Sequence, residues 1–288
     1  QRMITVVLAL ISLIMVIPLV LLVVASFTSN NEIVLHGYSF FPKELSLEAY
    51  RYIWNERAQV FHAYGITILV TAIGTTIGVM MTLLYAYVLA HEKFPGKTFL
   101  AFYLFFTMLF NGGLVPTYIM YTRYLHMKNT IPALIIPGLL MSAFNVILTR
   151  TYIQSNVPAA LSEAAKIDGA TEFQVFRKVV LPMCKPIIAT VGLFAGLGYW
   201  NDWTNGLYYI TDTNKFSIQQ LLNNMIKNIE FLSKNANSNI NLASVGGGIP
   251  QETVRMAIAI VGLLPILIVF PFVQKYFVKG ISIGAVKG

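Results

Sequence analysis

Apolar and polar positions fall along this chain in blocks rather than in alternation. Six stretches, at about 4–27, 66–90, 98–122, 131–149, 187–203 and 254–274, are long and almost uniformly apolar. At the helical rise of about 1.5 Å per residue, roughly 20 such residues cross the hydrocarbon core of a bilayer. No Asp, Glu, Lys or Arg occurs in 4–27, 66–90, 98–122, 131–149 or 256–274, and the fifth stretch is free of charge from Pro186 to Asn201. The pattern predicts an all-α membrane protein with six transmembrane helices in a single domain. The first stretch is longer than the apolar core of a secretory signal, lacks a clean cleavage site, and is followed by five more of its kind, so it reads as a membrane helix. The chain opens Gln1-Arg2 without an initiator Met, and a short upstream segment is expected. Pro18, Pro137, Pro265 and Pro271 lie inside apolar stretches, where they are expected to kink or locally break helices.

The polar connections orient these spans. With a cytoplasmic N-terminus, the inner segments hold eleven basic residues against four acidic ones, and the outer segments nine against eight. That asymmetry is the positive-inside pattern, and it places both termini in the cytoplasm. Two outer connections are long, 28–65 and 204–253; the second is rich in Asn, contains Gly246-Gly247-Gly248, and reads mostly as surface loop. The one long inner connection is 150–186, the best place for a partner site.

Composition narrows the class further. Of 288 residues, 56% are hydrophobic and only 11% charged, too few to clothe a water-soluble core. The net charge of +8 does not mark a nucleic-acid binder, because the basic residues lie between apolar stretches rather than on one aromatic-rich face. Cys184 is the only cysteine, so no internal disulfide forms. His36, His62, His91 and His126 are too scattered to make a metal cluster by sequence. Gly96-Lys97-Thr98 has the end of a nucleotide-binding P-loop, but His91 stands where its first Gly belongs. No nucleophile–base or metal constellation marks an enzyme.

The inner connection carries the mechanistic signal. It reads as two short helices with a break: Pro158 suits a first helical turn, Gly169 suits the left-handed stop, Thr171 and Gln174 form a capping box, and Pro182 limits the second helix. Ala159, Ala160, Ala164 and Ala165 give the first helix a small-residue surface around Glu163, which allows close approach by another protein. The spacing Glu163-Ala164-Ala165, Gly169, Val179, Leu181-Pro182, with Ile167-Asp168-Gly169-Ala170 inside it, resembles the loop that defines ABC-importer permeases. Tyr199-Trp200-Asn201-Asp202-Trp203, the Glu252–Ala257 segment and the tail from Gln274–Gly280 through Lys287-Gly288 resemble the carbohydrate-uptake, maltose-permease-like class. The likeness is strongest to its branch for oligosaccharides and polysaccharides.

The resemblance implies a type I ABC importer permease fold in the bacterial cytoplasmic membrane. It implies as partners a homologous permease forming a heterodimer, two ABC ATPase subunits, an extracytoplasmic solute-binding protein and a carbohydrate substrate. ATP and Mg belong on the ATPase, and no cofactor or metal is expected on this chain. Glu163, Ala164, Ala165, Ile167, Asp168, Gly169, Leu181 and Pro182 are the expected ATPase-coupling residues. Tyr199, Trp200, Asn201 and Trp203 are candidates for the sugar pathway, through stacking faces and an amide, with an interfacial aromatic belt as the competing reading. Gly246, Gly247 and Gly248 are candidates for contact with the binding protein. Gly74/Gly78 and Gly192/Gly196 are small-xxx-small pairs suited to close helix packing. An ion-coupled secondary transporter or a channel is the alternative; the absence of ionisable residues near the middle of the predicted spans argues against an ion relay.

Overall fold

The computed structural model describes residues 2–91, 94–235 and 251–285, and these are almost entirely helical. The chain order is α1 (Arg2–Ser26), α2 (Asn30–His36), α3 (Glu48–Asn55), α4 (Arg57–Ala90), α5 (Lys97–Leu109) and α6 (Leu114–Ile119), which continues as a π-helical turn Met120–Tyr124. Next come α7 (Pro132–Ile135), α8 (Ala143–Asn156), α9 (Ala159–Ile167), α10 (Glu172–Val175), a π-helical segment Phe176–Val180, and α11 (Leu181–Met183). The rest is α12 (Lys185–Trp200), α13 (Thr204–Tyr209), α14 (Ile218–Asn235) and α15 (Gln251–Ala285).

Among the described residues three helices are long and apolar enough to cross a membrane: Arg2–Ser26, Arg57–Ala90 and Gln251–Pro271. Two bent pairs raise the number to five if each is one span. Among the described residues the 98–122 and 131–149 stretches are not single straight helices, and these two departures have different causes. The 98–122 stretch bends by 115° between α5 and α6, at Asn111-Gly112-Gly113. There Gly113 takes φ 85° and its N–H bonds the Asn111 side chain at 2.8 Å. An Asn-Gly-Gly run is a turn signal strong enough to stop a helix inside an apolar stretch. The 131–149 stretch is broken instead by an unwound segment between α7 and α8. Pro137 sits in that break, whereas Pro18, Pro265 and Pro271 lie within continuous helices.

The chain divides into two compact units, Gln1–Tyr64 with Ile218–Ile268, and Gly65–Ser217 with Val269–Gly288. In the first, Ser26 and Tyr50 share a 2.8 Å hydrogen bond, and Phe27 stacks on Tyr50. Glu252 gathers a second cluster there: its backbone N–H bonds Asn30, and its carboxylate takes Tyr38 and Arg255. Residues 218–235 of the Asn-rich connection are a helix rather than open loop. Ile218, Leu221, Leu222, Met225 and Ile229 are buried at helical spacing along α14.

In the second unit Gly74, Gly192 and Gly196 pack two helices together, while a Cβ on Gly78 would run into the Leu140 carbonyl of the unwound segment. A Cβ on Gly192 would meet Val79, one on Gly196 would meet Thr75, and one on Gly74 would run into the Tyr199 ring. The order 74–199, 75–196, 79–192 makes α4 and α12 antiparallel neighbours at close range. A core of Leu83, Ala86, Leu89, Leu104, Val146, Ile153, Val175, Phe176, Val180, Cys184, Ile187 and Val191 joins them to α5, α8 and the segment after α10.

Candidate functional site

The 150–186 connection folds as two helices with a break. Helix α9 ends in a Schellman motif: the Gly169 N–H bonds the Lys166 carbonyl at 3.0 Å and the Ala170 N–H bonds the Ala165 carbonyl at 2.9 Å, with Gly169 at φ 84°. Nothing lies within 4 Å of where a Cβ of Gly169 would be, so the position needs glycine for its backbone angle alone. Thr171 and Gln174 form the reciprocal capping box, with bonds of 3.4 and 2.8 Å.

The second helix differs from the expectation at its far end. Beyond Val175 it widens into a π-helical segment, passes through Pro182 and stops at Met183, and α12 leaves at 82°. Pro182 has no N–H to donate, and the wider turn relieves its clash with the preceding carbonyls. Val175, Phe176 and Val180 are buried in the core just described, so this second helix is fixed to the spans.

Helix α9 presents the opposite character. Ala159, Ala160, Leu161, Glu163, Ala164, Ile167 and Asp168 are exposed, Ile167 at 86%, and Phe173 after the break is 65% exposed. One carboxylate ties the two helices to each other and to α4. Glu172 takes an ion pair from Lys166 of α9 and a 2.9 Å hydrogen bond from the Tyr87 hydroxyl of α4, and His91 Nε2 lies 3.7 Å away. The Lys166 hydrogen bond is the largest influence holding the Glu172 carboxyl below the usual carboxylate range, with Tyr87 adding to it. The Tyr87 ring packs against His91 and Phe176, so the end of α4 and the start of α10 meet at this residue.

A second feature lies in the same unit, around the unwound segment 136–142. The Tyr199 hydroxyl donates to the Ile135 carbonyl at 3.0 Å, and the Asn205 amide donates to the Pro137 carbonyl at 3.0 Å. Asp202 in turn accepts from the backbone N–H groups of Thr204 and Asn205, starting α13. A cavity of about 350 Å³ opens beside the segment, lined among others by Thr82, Gly138, Ser142, Phe144, Asn145 and Phe194. The aromatic cluster is split by this arrangement. Tyr199 is 2% exposed and packs on Gly74. Asn201 is exposed, its amide bonded to the Leu197 carbonyl at 3.0 Å, and Trp203 is exposed beside it. Gly246, Gly247 and Gly248 lie outside the described residues.

Residues 89–283 match the family of binding-protein-dependent transport system inner membrane components. The chain belongs to that family. It is 36% identical over 277 residues to the polygalacturonan/rhamnogalacturonan transport system permease protein YtcP of Bacillus subtilis, covering 96% of this chain and 94% of that one. It is 26% identical to the arabinooligosaccharides transport system permease protein AraQ of Halalkalibacterium halodurans, covering 97% and 94%. A crystal structure of a bacterial ABC transporter involved in the import of the acidic polysaccharide alginate superposes with a TM-score of 0.78 at 28% identity, covering 95% of this chain and 94% of that one.

As a member of this permease family the chain is a transport component and not an enzyme, and the ion-coupled transporter and channel readings are not favoured. Two parts of the permease escaped the residue patterns. Glu172 is one of the four acidic residues of the inner segments, and an acid beside a capping Thr is a signal for a helix start. The unwound segment had Pro137-Gly138 as its sole marker within an unbroken apolar stretch.

Proposed function

We propose that this permease forms one half of the translocation pathway of an ATP-driven importer for an oligosaccharide or polysaccharide, in the bacterial cytoplasmic membrane. Its six crossings include broken ones, and both termini face the cytoplasm. A homologous permease supplies the other half. Two ABC ATPases, which hold the ATP and Mg, dock on the cytoplasmic 159–183 module, and an extracytoplasmic binding protein delivers the sugar. The relatives named for polygalacturonan, rhamnogalacturonan and arabino-oligosaccharides, and the alginate importer, support a saccharide of more than one unit.

The observation that carries this reading is the asymmetry of the 159–183 module. Its second helix is built into the core, while its first presents Leu161, Glu163, Ala164 and Ile167 outward, with Phe173 beside them. An Ile exposed to this degree on a polar connection is accounted for by a protein that covers it. Closure of the ATPases on ATP moves α9, and the Glu172 contacts to Lys166 and Tyr87 pass that movement to α4. The spans then shift between inward-open and outward-open states, which differ in their affinity for the sugar. Trp200, Asn201 and Trp203 are proposed at the outer mouth of the path, and Gly246, Gly247 and Gly248 at the binding protein.

The test is Glu163→Lys and Gly169→Val in the assembled importer. Glu163→Lys reverses the docking charge, and Gly169→Val forces a β-branched side chain into the left-handed region, where it does not belong. Both variants should insert and pair with the sister subunit, yet lose sugar-stimulated ATP hydrolysis or lose the ATPase itself on purification. Normal transport by both would remove the loop from the coupling path.

A further inference from the structure

Building on the saccharide import proposed above, we propose that the cavity beside the unwound segment 136–142 binds one glycosyl unit of the saccharide in transit, through neutral hydroxyl contacts. The first support is backbone chemistry. Side chains satisfy the Ile135 and Pro137 carbonyls, but the carbonyls of Gly138, Leu139 and Leu140 accept no hydrogen bond among the described residues. Unpaired backbone at membrane depth is tolerated where it lines a space that water or a ligand enters. All three of these residues line the cavity.

The second support is the side chains that share that space. Thr82 is 2% exposed and Asn145 is 8% exposed; both line the cavity, and neither the Thr82 hydroxyl nor the Asn145 amide hydrogen-bonds a described residue. Thr76 and Thr149 turn back on their own helices, to the Ala72 and Asn145 carbonyls; Thr82 does not, and it shares this with Thr71 and Thr75 of α4, whose hydroxyls have no partner among the described residues. Ser142 stands at the N-cap of α8 but makes no capping bond through its hydroxyl, which is the bond a serine there ordinarily makes. Two hydroxyls and an amide thus share the cavity as donors and acceptors, with Gly138, Leu139 and Leu140 in its wall. Phe144 and Phe194 supply apolar surface for the C–H faces of a sugar ring.

Size and charge set the ligand class. At about 350 Å³ the cavity lies at the lower end of the roughly 300–1,000 Å³ typical of small-molecule sites, enough for one unit and not for a folded chain. Its lining holds no charged residue. It therefore reads hydroxyls and ring faces and leaves the carboxylate of an acidic sugar unpaired, so neutral and acidic saccharides should depend on it alike.

The test uses the complete importer in proteoliposomes, with oligogalacturonides and arabino-oligosaccharides as probes. Thr82→Val and Asn145→Leu keep volume and remove hydrogen bonding. Together they should lower uptake of whichever probes the wild type transports by about tenfold or more, with binding-protein-stimulated ATP hydrolysis within about twofold of wild type. Thr82→Ser should keep wild-type uptake. Should the double variant assemble poorly, Ala195→Cys in a Cys184→Ala background gives a second reading. Ala195 lines the cavity, and a transported probe should slow its modification by a small thiol reagent. Wild-type uptake that is unchanged in the double variant, or modification that no transported probe slows, overturns the site alone. A wild-type importer that takes up neither probe overturns the saccharide reading and this site with it.

Discussion

Replacing Gly74 by Ala adds one methyl group, and the contact of α4 with α12 predicts that it is poorly tolerated. A Cβ at Gly74 would fall on the Tyr199 ring, 2.6 Å from both Cε1 and Cε2. Carbon atoms rest at about 3.5–4.0 Å, so the ring must withdraw by about 1 Å. Its hydroxyl now lies 3.0 Å from the Ile135 carbonyl, and that displacement takes it out of hydrogen-bonding range. Overpacking costs about 1–3 kcal/mol, and the lost hydrogen bond about 0.5–1.5 kcal/mol. Against these, alanine is the better helix former by at most about 1 kcal/mol. The net expectation is a destabilisation of roughly 1–4 kcal/mol. Gly192→Ala is the internal control, because its Cβ meets only Val79 Cγ2, at an ordinary 3.9 Å. Unfolding of the purified permease in detergent, followed by tryptophan fluorescence, should rank Gly74→Ala clearly below wild type and Gly192→Ala close to it. Combining Gly74→Ala with Tyr199→Leu should cost less than the sum of the two by about 1 kcal/mol or more, since the second change removes the ring the first one strikes. Equal midpoints for the two alanine variants would refute the packing argument.

Two further outcomes follow from the same unit. With the buried Cys184 replaced by Ala, and the permease expressed without its ATPase, cysteines at Ala160 and Thr213 should label from opposite sides of the membrane with an impermeant thiol reagent; labelling from one side would end the proposed topology. Glu172→Gln should flatten the acid side of the stability profile. The Glu172 carboxyl sits below its ordinary value, so its contribution is full above the unfolded value of about 4.3 and is lost as pH falls through the lower folded value. Because this side chain is 60% exposed, the effect should stay below about 1 kcal/mol. Unfolding midpoints of wild type and variant from about pH 7 to pH 3.5 measure it, and parallel profiles would contradict it.

Where local residues decide the structure, the amino-acid pattern was enough to read it. Gly169 stops α9 through its own backbone angle and Thr171 with Gln174 starts α10, and every atom those motifs need lies within a few residues. Asn111-Gly112-Gly113 belongs with them, because the bend between α5 and α6 is written there and was masked only by the apolar residues on either side. The buried spacing of α14 was present too, beneath an Asn-rich composition that resembles loop. The break at 136–142 is of another kind. Straight and broken helices are equally apolar, so hydropathy does not separate them in lipid. What separates them is who takes the carbonyls that the break releases. In this permease two of those partners, Tyr199 and Asn205, lie 64 and 68 residues further along the chain from the carbonyls they bond. Tyr199 reaches its carbonyl over Gly74, where the missing side chain leaves room for the ring. The unwinding of one helix is thus written jointly in three others, α4, α12 and α13. A change in the packing of α4 against α12 would move Tyr199, and with it the carbonyl that ends α7. That link joins the helix bearing Tyr87, the neighbour of Glu172, to the wall of the cavity, and it gives the proposed movement of the 159–183 module a physical route to the proposed sugar site.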